Sequence, residues 1–162
     1  MVTFSSEMNR IIPIILSFLF ITCNNPPDSD LIEWQRNKTK WEKINLSAYF
    51  FNFRASCYCI DEWVKEVTIT VTADTISSVL FTDNQQTPTQ IKTNQWHTVD
   101  KLFDIAKSVL DEAYTFELEF DSELGYPTLI AVDWLKDAVD DEVTYFASNL
   151  HYEKNKLQNR IC

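Results

Sequence analysis

Hydrophobic and polar positions alternate along this chain with two periods, one helical and one strand-like. Over residues 30–43, Leu31, Trp34, Lys38, Trp41 and Ile44 return every three or four positions and mark one face of a helix. Asp30 or Ser29 is placed to cap it, with Glu33 in its first turn. The two tryptophans share that face, which predicts packing on a sheet. Over 47–59 the period falls to two. Tyr49, Phe51, Phe53, Ala55, Cys57 and Cys59 line one side, and Ala48, Phe50, Asn52, Arg54, Ser56 and Tyr58 the other. On this reading the cysteines continue the core-facing side. Alternation resumes over 66–72, with Val67, Ile69 and Val71 inward and threonines outward. Asp74-Thr75 predicts a tight turn into a strand over 76–81.

The stretch 82–96 is rich in Asn, Gln, Thr and Pro and predicts a surface loop. Thr98 then caps a predicted helix over 99–113, whose apolar stripe is Leu102, Ile105, Ala106, Val109 and Leu110. Phe116, Leu118 and Phe120 alternate with Glu117 and Glu119, a strand pattern. Further strands are predicted over 128–133 and 142–150, and from His151 onward the tail is basic. The order α-βββ-α-βββ predicts an α+β fold: an antiparallel sheet of about six strands with two helices on one face. Residues 30–150 form a single domain on this reading, because each half alone would be near the size where a core is marginal.

The beginning of the chain follows another pattern. Arg10 precedes about a dozen mostly apolar residues, then Cys23 and a polar stretch containing Pro26 and Pro27. A charged residue before a short apolar run predicts a secretory signal over 1–22 and a tether over 23–29. The run is too short for a stable membrane-spanning helix, which needs ~20 apolar residues. Cys23 directly after the run resembles a lipobox, which implies lipidation of that cysteine and attachment to a membrane. Phe20 and Thr22 depart from the usual lipobox residues, so ordinary cleavage and an uncleaved anchor are the alternatives. Export permits disulfides. The favoured pair is Cys57–Cys59 with Cys162 free, and bridges from Cys162 to either partner compete.

Gly125 is the only glycine in 162 residues. It lies between two alternating strands, so the expectation is a hairpin turn that needs positive φ, with Pro127 fixing the start of the next strand. With one glycine, the chain has no phosphate-binding loop and no dinucleotide fingerprint. Neither His97 nor His151 is spaced with a second metal ligand, and both are read as exposed. No residue is assigned a catalytic role.

Charge distinguishes the halves more than motifs do. The net charge is -10 with no run of Lys and Arg, which argues against a nucleic-acid partner. Residues 100–150 carry 13 acidic and 3 basic side chains. Asp133, Asp140, Asp141 and Glu142 stand out, with Tyr126, as binding candidates. The loop 133–142 is read as solvated, its Asp residues capping turns and a short helix near Leu135. Calcium, which takes six to eight oxygen ligands, is the one cofactor such a loop admits. No EF-hand order and no metal ligand set is present.

Taken in order, Cys57-Tyr58-Cys59, Gly125-Tyr126-Pro127 and Asp140-Asp141-Glu142 resemble a family of small bacterial exported proteins, mostly classed as lipoproteins, that form a domain of unknown function. The match would cover residues 30–150. The resemblance implies fold and location and no established activity. The leading expectation is a lipid-tethered cell-envelope protein, non-enzymatic, that binds a cationic protein or ligand. The rival is an envelope enzyme using clustered carboxylates or calcium. A third reading is an ordinary secreted protein with glycosylation sequons at Asn37 and Asn45.

Overall fold

The computed structural model describes residues 29–138 and 140–153. The expected signal, most of the tether with Cys23, and the tail with Cys162 lie outside the described residues. Helix α1 spans Ser29–Ile44, strand β1 Ala48–Ser56, a one-turn helix α2 Asp61–Val64, β2 Val67–Thr72 and β3 Thr75–Phe81. A 3-10 turn at Thr93–Gln95 leads to α3, Val99–Glu112, followed by β4 Thr115–Phe120, β5 Pro127–Asp133 and β6 Val143–His151. The sheet order is β3-β2-β1-β6-β5-β4, antiparallel throughout. Each half of the chain is a meander, and the first and last strands join them at the centre of the sheet. The α+β fold expected from the patterning is the fold observed.

Alternation along β1 sets which face is covered. Tyr49, Phe51, Phe53 and Ala55 are buried, while Phe50 and Arg54 are exposed on the opposite side. Phe51 and Phe53 have no exposed surface at all, so β1 is the floor of the core. Helix α3 lies over β4 and β5, with Val99, Leu102, Phe103, Ala106 and Val109 buried. Its N-terminus is capped as expected: Thr98 Oγ1 accepts from the Lys101 N–H at 3.2 Å. Tyr49 Oη accepts the Val99 N–H, also at 3.2 Å, which ties β1 to the same helix end.

Helix α1 packs chiefly on α3. Trp34 Nε1 donates to the Phe103 carbonyl at 3.0 Å, and Trp41 Nε1 donates to Asp100 Oδ1 at 3.2 Å. Trp41 also meets the sheet side, edge-on to Tyr49 at 5.3 Å and near Tyr126 at 6.5 Å. The tryptophan stripe therefore joins helix to helix first. Over β1 the roof is made by α2 and the end of the 82–96 loop, through Trp63 and Trp96 against Phe53.

Several local expectations need correction. Strand β1 ends at Ser56, and Cys57 and Cys59 sit in the bend beyond it, half-buried and exposed respectively. The β2–β3 turn is Ala73-Asp74, one residue earlier than expected, because Thr75 already pairs with Thr72. Both turn residues have positive φ, 49° and 60°, the twist a two-residue hairpin requires. Strand β6 continues through His151, and the chain is described to Glu153. Near Leu135 there is a turn in place of a short helix. Asn37 is buried and its Nδ2 donates to the Glu33 carbonyl at 3.0 Å, which leaves no room for a glycan.

Candidate functional site

The residues singled out from the sequence fall at two opposite ends of the sheet. At one end lies the turn after β4. Asp121 Oδ1 accepts from the N–H groups of Glu123 and Leu124 at 3.0 and 2.7 Å, and the Gly125 N–H reaches the Asp121 carbonyl at 3.0 Å. Gly125 has φ +82°, and a Cβ placed there would stand 2.7 Å from the Asn37 carbonyl oxygen of α1. Lys40 Nζ donates to the Ser122 carbonyl at 2.8 Å, locking helix and turn together. Pro127 is fully buried and Tyr126 is 4% exposed. Burial pushes the Tyr126 hydroxyl pKa up, with the Asp121 charge adding and the Leu150 backbone hydrogen bond opposing. Tyr126 offers a ligand no surface, so this turn is a packing device.

At the other end are the cysteines and the acidic loop. Cys57 and Cys59 lie at disulfide distance, their Cα atoms 5.3 Å apart. Register places this bend near the start of β6, since Ser56 pairs with Thr144. Tyr58 between the cysteines is 88% exposed. Within the loop, Asp141 Oδ2 accepts from the Leu135 N–H at 2.8 Å, and Asp140 holds φ at 71°. Asp140 and Glu142 are exposed. The second oxygen of Asp141 and one oxygen of Asp133 are buried without a hydrogen-bond partner among the described residues. These carboxylates do not converge: no three His, Cys, Asp or Glu side chains among the described residues are placed to hold a metal ion.

Two features here escaped the sequence. Glu62, on α2, is 7% exposed. Its carboxylate accepts four hydrogen bonds from residues 89–91: the N–H and Oγ1 of Thr89 at 2.8 and 3.2 Å, the Gln90 N–H at 2.8 Å and the Ile91 N–H at 3.1 Å. Desolvation works to raise its pKa, and the hydrogen bonds outweigh it, so the group lies below the usual carboxylate range. This is an anchor for the long loop. His97, read as exposed, is half-buried among Phe53, Trp63 and Tyr145, with ring centroids 5.8, 5.4 and 5.6 Å away. Burial, helped by the Lys101 charge, lowers its pKa from 6.5 to about 4, so it is neutral at physiological pH. No nucleophile or carboxylate forms a hydrogen bond with it among the described residues, which gives it the character of a packed ring.

What the fold leaves uncovered is the second face of the sheet. The Arg54 guanidinium carbon lies over the Phe146 ring, 3.8 Å from its centroid, and Phe50 stacks on His151 at 5.1 Å. Toward β4 the same face carries Ala131, Asp133, Glu117 and Glu119. The two strand edges differ. At β3 the 3-10 turn Thr93–Gln95 packs alongside. Along β4 no described element hydrogen-bonds to the outer side. A cleft of about 620 Å³ lies between the α1–β1 connection and the end of β6, far from the cysteines and the acidic loop. Among the described residues its titratable lining groups are His151, Glu153, Tyr49 and Tyr152, and Asn45, Ser47, Thr70 and Thr72 are its other polar residues. No helix among the described residues is long and apolar enough to cross a membrane.

Fold and surface thus define a small α+β domain with one open sheet face and one bare edge, and with no converging catalytic group among its described residues. The chain belongs to the family of unknown function DUF6174, whose model matches residues 33–152. Comparison with curated proteins and with solved structures gave no match.

Proposed function

We propose that this protein is a binding module of the bacterial cell envelope, exported, held to a membrane by lipid on Cys23, and directed at a cationic partner. The observation that carries the reading is the asymmetry of the sheet. One face is sealed under α1, α3 and the 82–96 loop, and the other face and the β4 edge are open and bear Glu117, Glu119 and Asp133. An acidic patch raises the local concentration of cationic partners and speeds their association. Glu62, the carboxylate whose pKa is displaced, is engaged in holding a loop, which favours a binding role over acid–base chemistry.

Mass spectrometry of the mature N-terminus tests the tether. Diacylglycerol on Cys23 is expected, and a free amine at another residue removes the lipid anchor from the account. Titration calorimetry against poly-L-lysine and poly-L-glutamate tests the partner charge. Binding to the first alone, weakening as salt rises, is expected, and equal behaviour toward both rejects it. A second reading, a weak calcium site, draws on the unpartnered oxygens of Asp133 and Asp141. An unchanged melting temperature at millimolar calcium removes it.

A further inference from the structure

Strand β4 is an outer strand of the sheet. Strand edges present unpaired N–H and C=O groups, and proteins usually cover or blunt them. Here the Thr93–Gln95 turn lies close to β3 and the Phe81 N–H at its end donates to the Gln86 carbonyl at 2.9 Å, whereas the outer side of β4 has no backbone partner among the described residues. Strand β4 is six residues long, regular up to an irregularity at Glu119/Phe120, and free of proline. Beside it runs a cleft of about 150 Å³ between the sheet and the first turn of α1. Phe116, Leu118 and Phe120 and part of Glu117 line its strand side, and Asp30 and Glu33 its helix side. Phe116 is 36% exposed, and Leu118 and Phe120 are half-buried, so these three give an apolar, accessible surface. Glu117 and Glu119 point to the opposite, open face and are exposed.

We infer that β4 is a strand-addition site for an extended cationic peptide segment, which pairs with its backbone and extends the sheet by one strand. The inference rests on the binding-module reading and names its partner class. A strand's side chains alternate between faces. An added strand would therefore set every second side chain over Glu117 and Glu119, and the others over Phe116, Leu118 and Phe120. Alternating basic and apolar residues fit both rows, and the Glu33 carboxylate at the cleft is already paired with Arg36 at 3.3 Å. Backbone pairing supplies affinity and the two rows supply specificity, the general mode of β-augmentation. The same residues argue against a second copy of this chain. Antiparallel pairing of β4 with itself about Leu118 would set Glu117 opposite Glu119 of the other copy, and like charges directly opposed are destabilising.

The test uses the full chain in detergent and a heptapeptide of alternating lysine and valine. Saturable one-to-one binding is expected, with backbone amide shifts confined to 115–120 and their neighbours. Two further peptides each carry N-methyl groups on one alternate set of amides, with the charge unchanged. The set that faces β4 should bind at least about tenfold more weakly than the set that faces away. Equal affinity of the two methylated peptides overturns strand addition, and so do shifts that fall away from β4. If poly-L-lysine still binds in that case, the acidic-surface reading stands while this inference fails. If neither polymer nor peptide binds, both fail. A concentration-dependent dimer formed through β4 also overturns the inference.

Discussion

Replacing Gly125 with alanine should be among the most damaging single-methyl changes this chain can suffer. Two separate costs meet there. The φ of +82° lies in the left-handed region, which costs an L-residue with a Cβ about 1–2 kcal/mol. The new Cβ would also stand 2.7 Å from the Asn37 carbonyl oxygen and 3.2 Å from Lys40 Cβ. Backbone cannot rotate away as a side chain can, so the turn or α1 must shift, a strain of about 1–3 kcal/mol. Alanine returns up to ~1 kcal/mol by restricting the unfolded chain. The expected loss is about 1–5 kcal/mol, or roughly 4–20 °C in Tm for a domain of this size. Urea unfolding followed by tryptophan fluorescence measures it, with an unchanged slope confirming that the same surface unfolds. Gly125→Asn separates the two costs, because asparagine tolerates positive φ and still carries a Cβ. If contact with α1 matters, the asparagine variant keeps a loss of at least ~1 kcal/mol. An alanine variant as stable as the parent would refute the reasoning outright.

The β2–β3 turn should respond in the opposite sense: Ala73→Asn with Asp74→Gly suits a turn with positive φ at both positions, and a gain of about 1 kcal/mol is expected, whereas any loss contradicts the turn assignment. His97 makes stability fall as pH drops, because the unfolded histidine takes up a proton below 6.5 and the folded one only near 4. The loss begins near pH 6.5, is complete below about 4, and reaches at most about 3 kcal/mol; unfolding measured across pH 7 to 5 should lose this slope in His97→Phe, and an unaltered slope would place the effect elsewhere. Glu62 acts lower, since its depressed carboxyl contributes above its ordinary value of 4.5 and the contribution is lost as pH falls through the folded value. Glu62→Gln should open residues 82–92 to limited proteolysis at neutral pH, and a cleavage pattern like the parent's would show that the loop does not depend on the clamp.

The strands were legible because period-two alternation over Tyr49–Ala55, Val67–Val71 and Phe116–Phe120 reports directly on which side faces the core. The cap on α3 was legible because Thr98 precedes a clean helical stripe. The turn falls at Ala73-Asp74, one residue before the expected Asp74-Thr75, because alanine at its first position gives no left-handed signal while aspartate does, and the pairing of Thr72 with Thr75 decides it. Glu62 carried no signal, since its partners at Thr89, Gln90 and Ile91 are backbone groups some thirty positions away, which no side-chain pattern encodes. His97 looked exposed because its surroundings in sequence are polar, while its neighbours in space come from β1, α2 and β6. The acidic loop is a concentration of charge visible in the sequence. Sequence could not say that Asp141 would spend one oxygen on the Leu135 backbone. Nor could it say that Tyr126 would be sealed beneath α1.

On the proposed function, this domain binds a cationic partner through the open side of its sheet. Two double variants of equal charge change separate that claim from simple net acidity. Glu117→Lys with Glu119→Lys alters the open face, and Asp137→Lys with Glu142→Lys alters the acidic loop; all four residues are exposed. Calorimetry with poly-L-lysine should show binding lost in the first variant and nearly kept in the second. Equal loss in both, or loss only in the loop variant, would contradict the account.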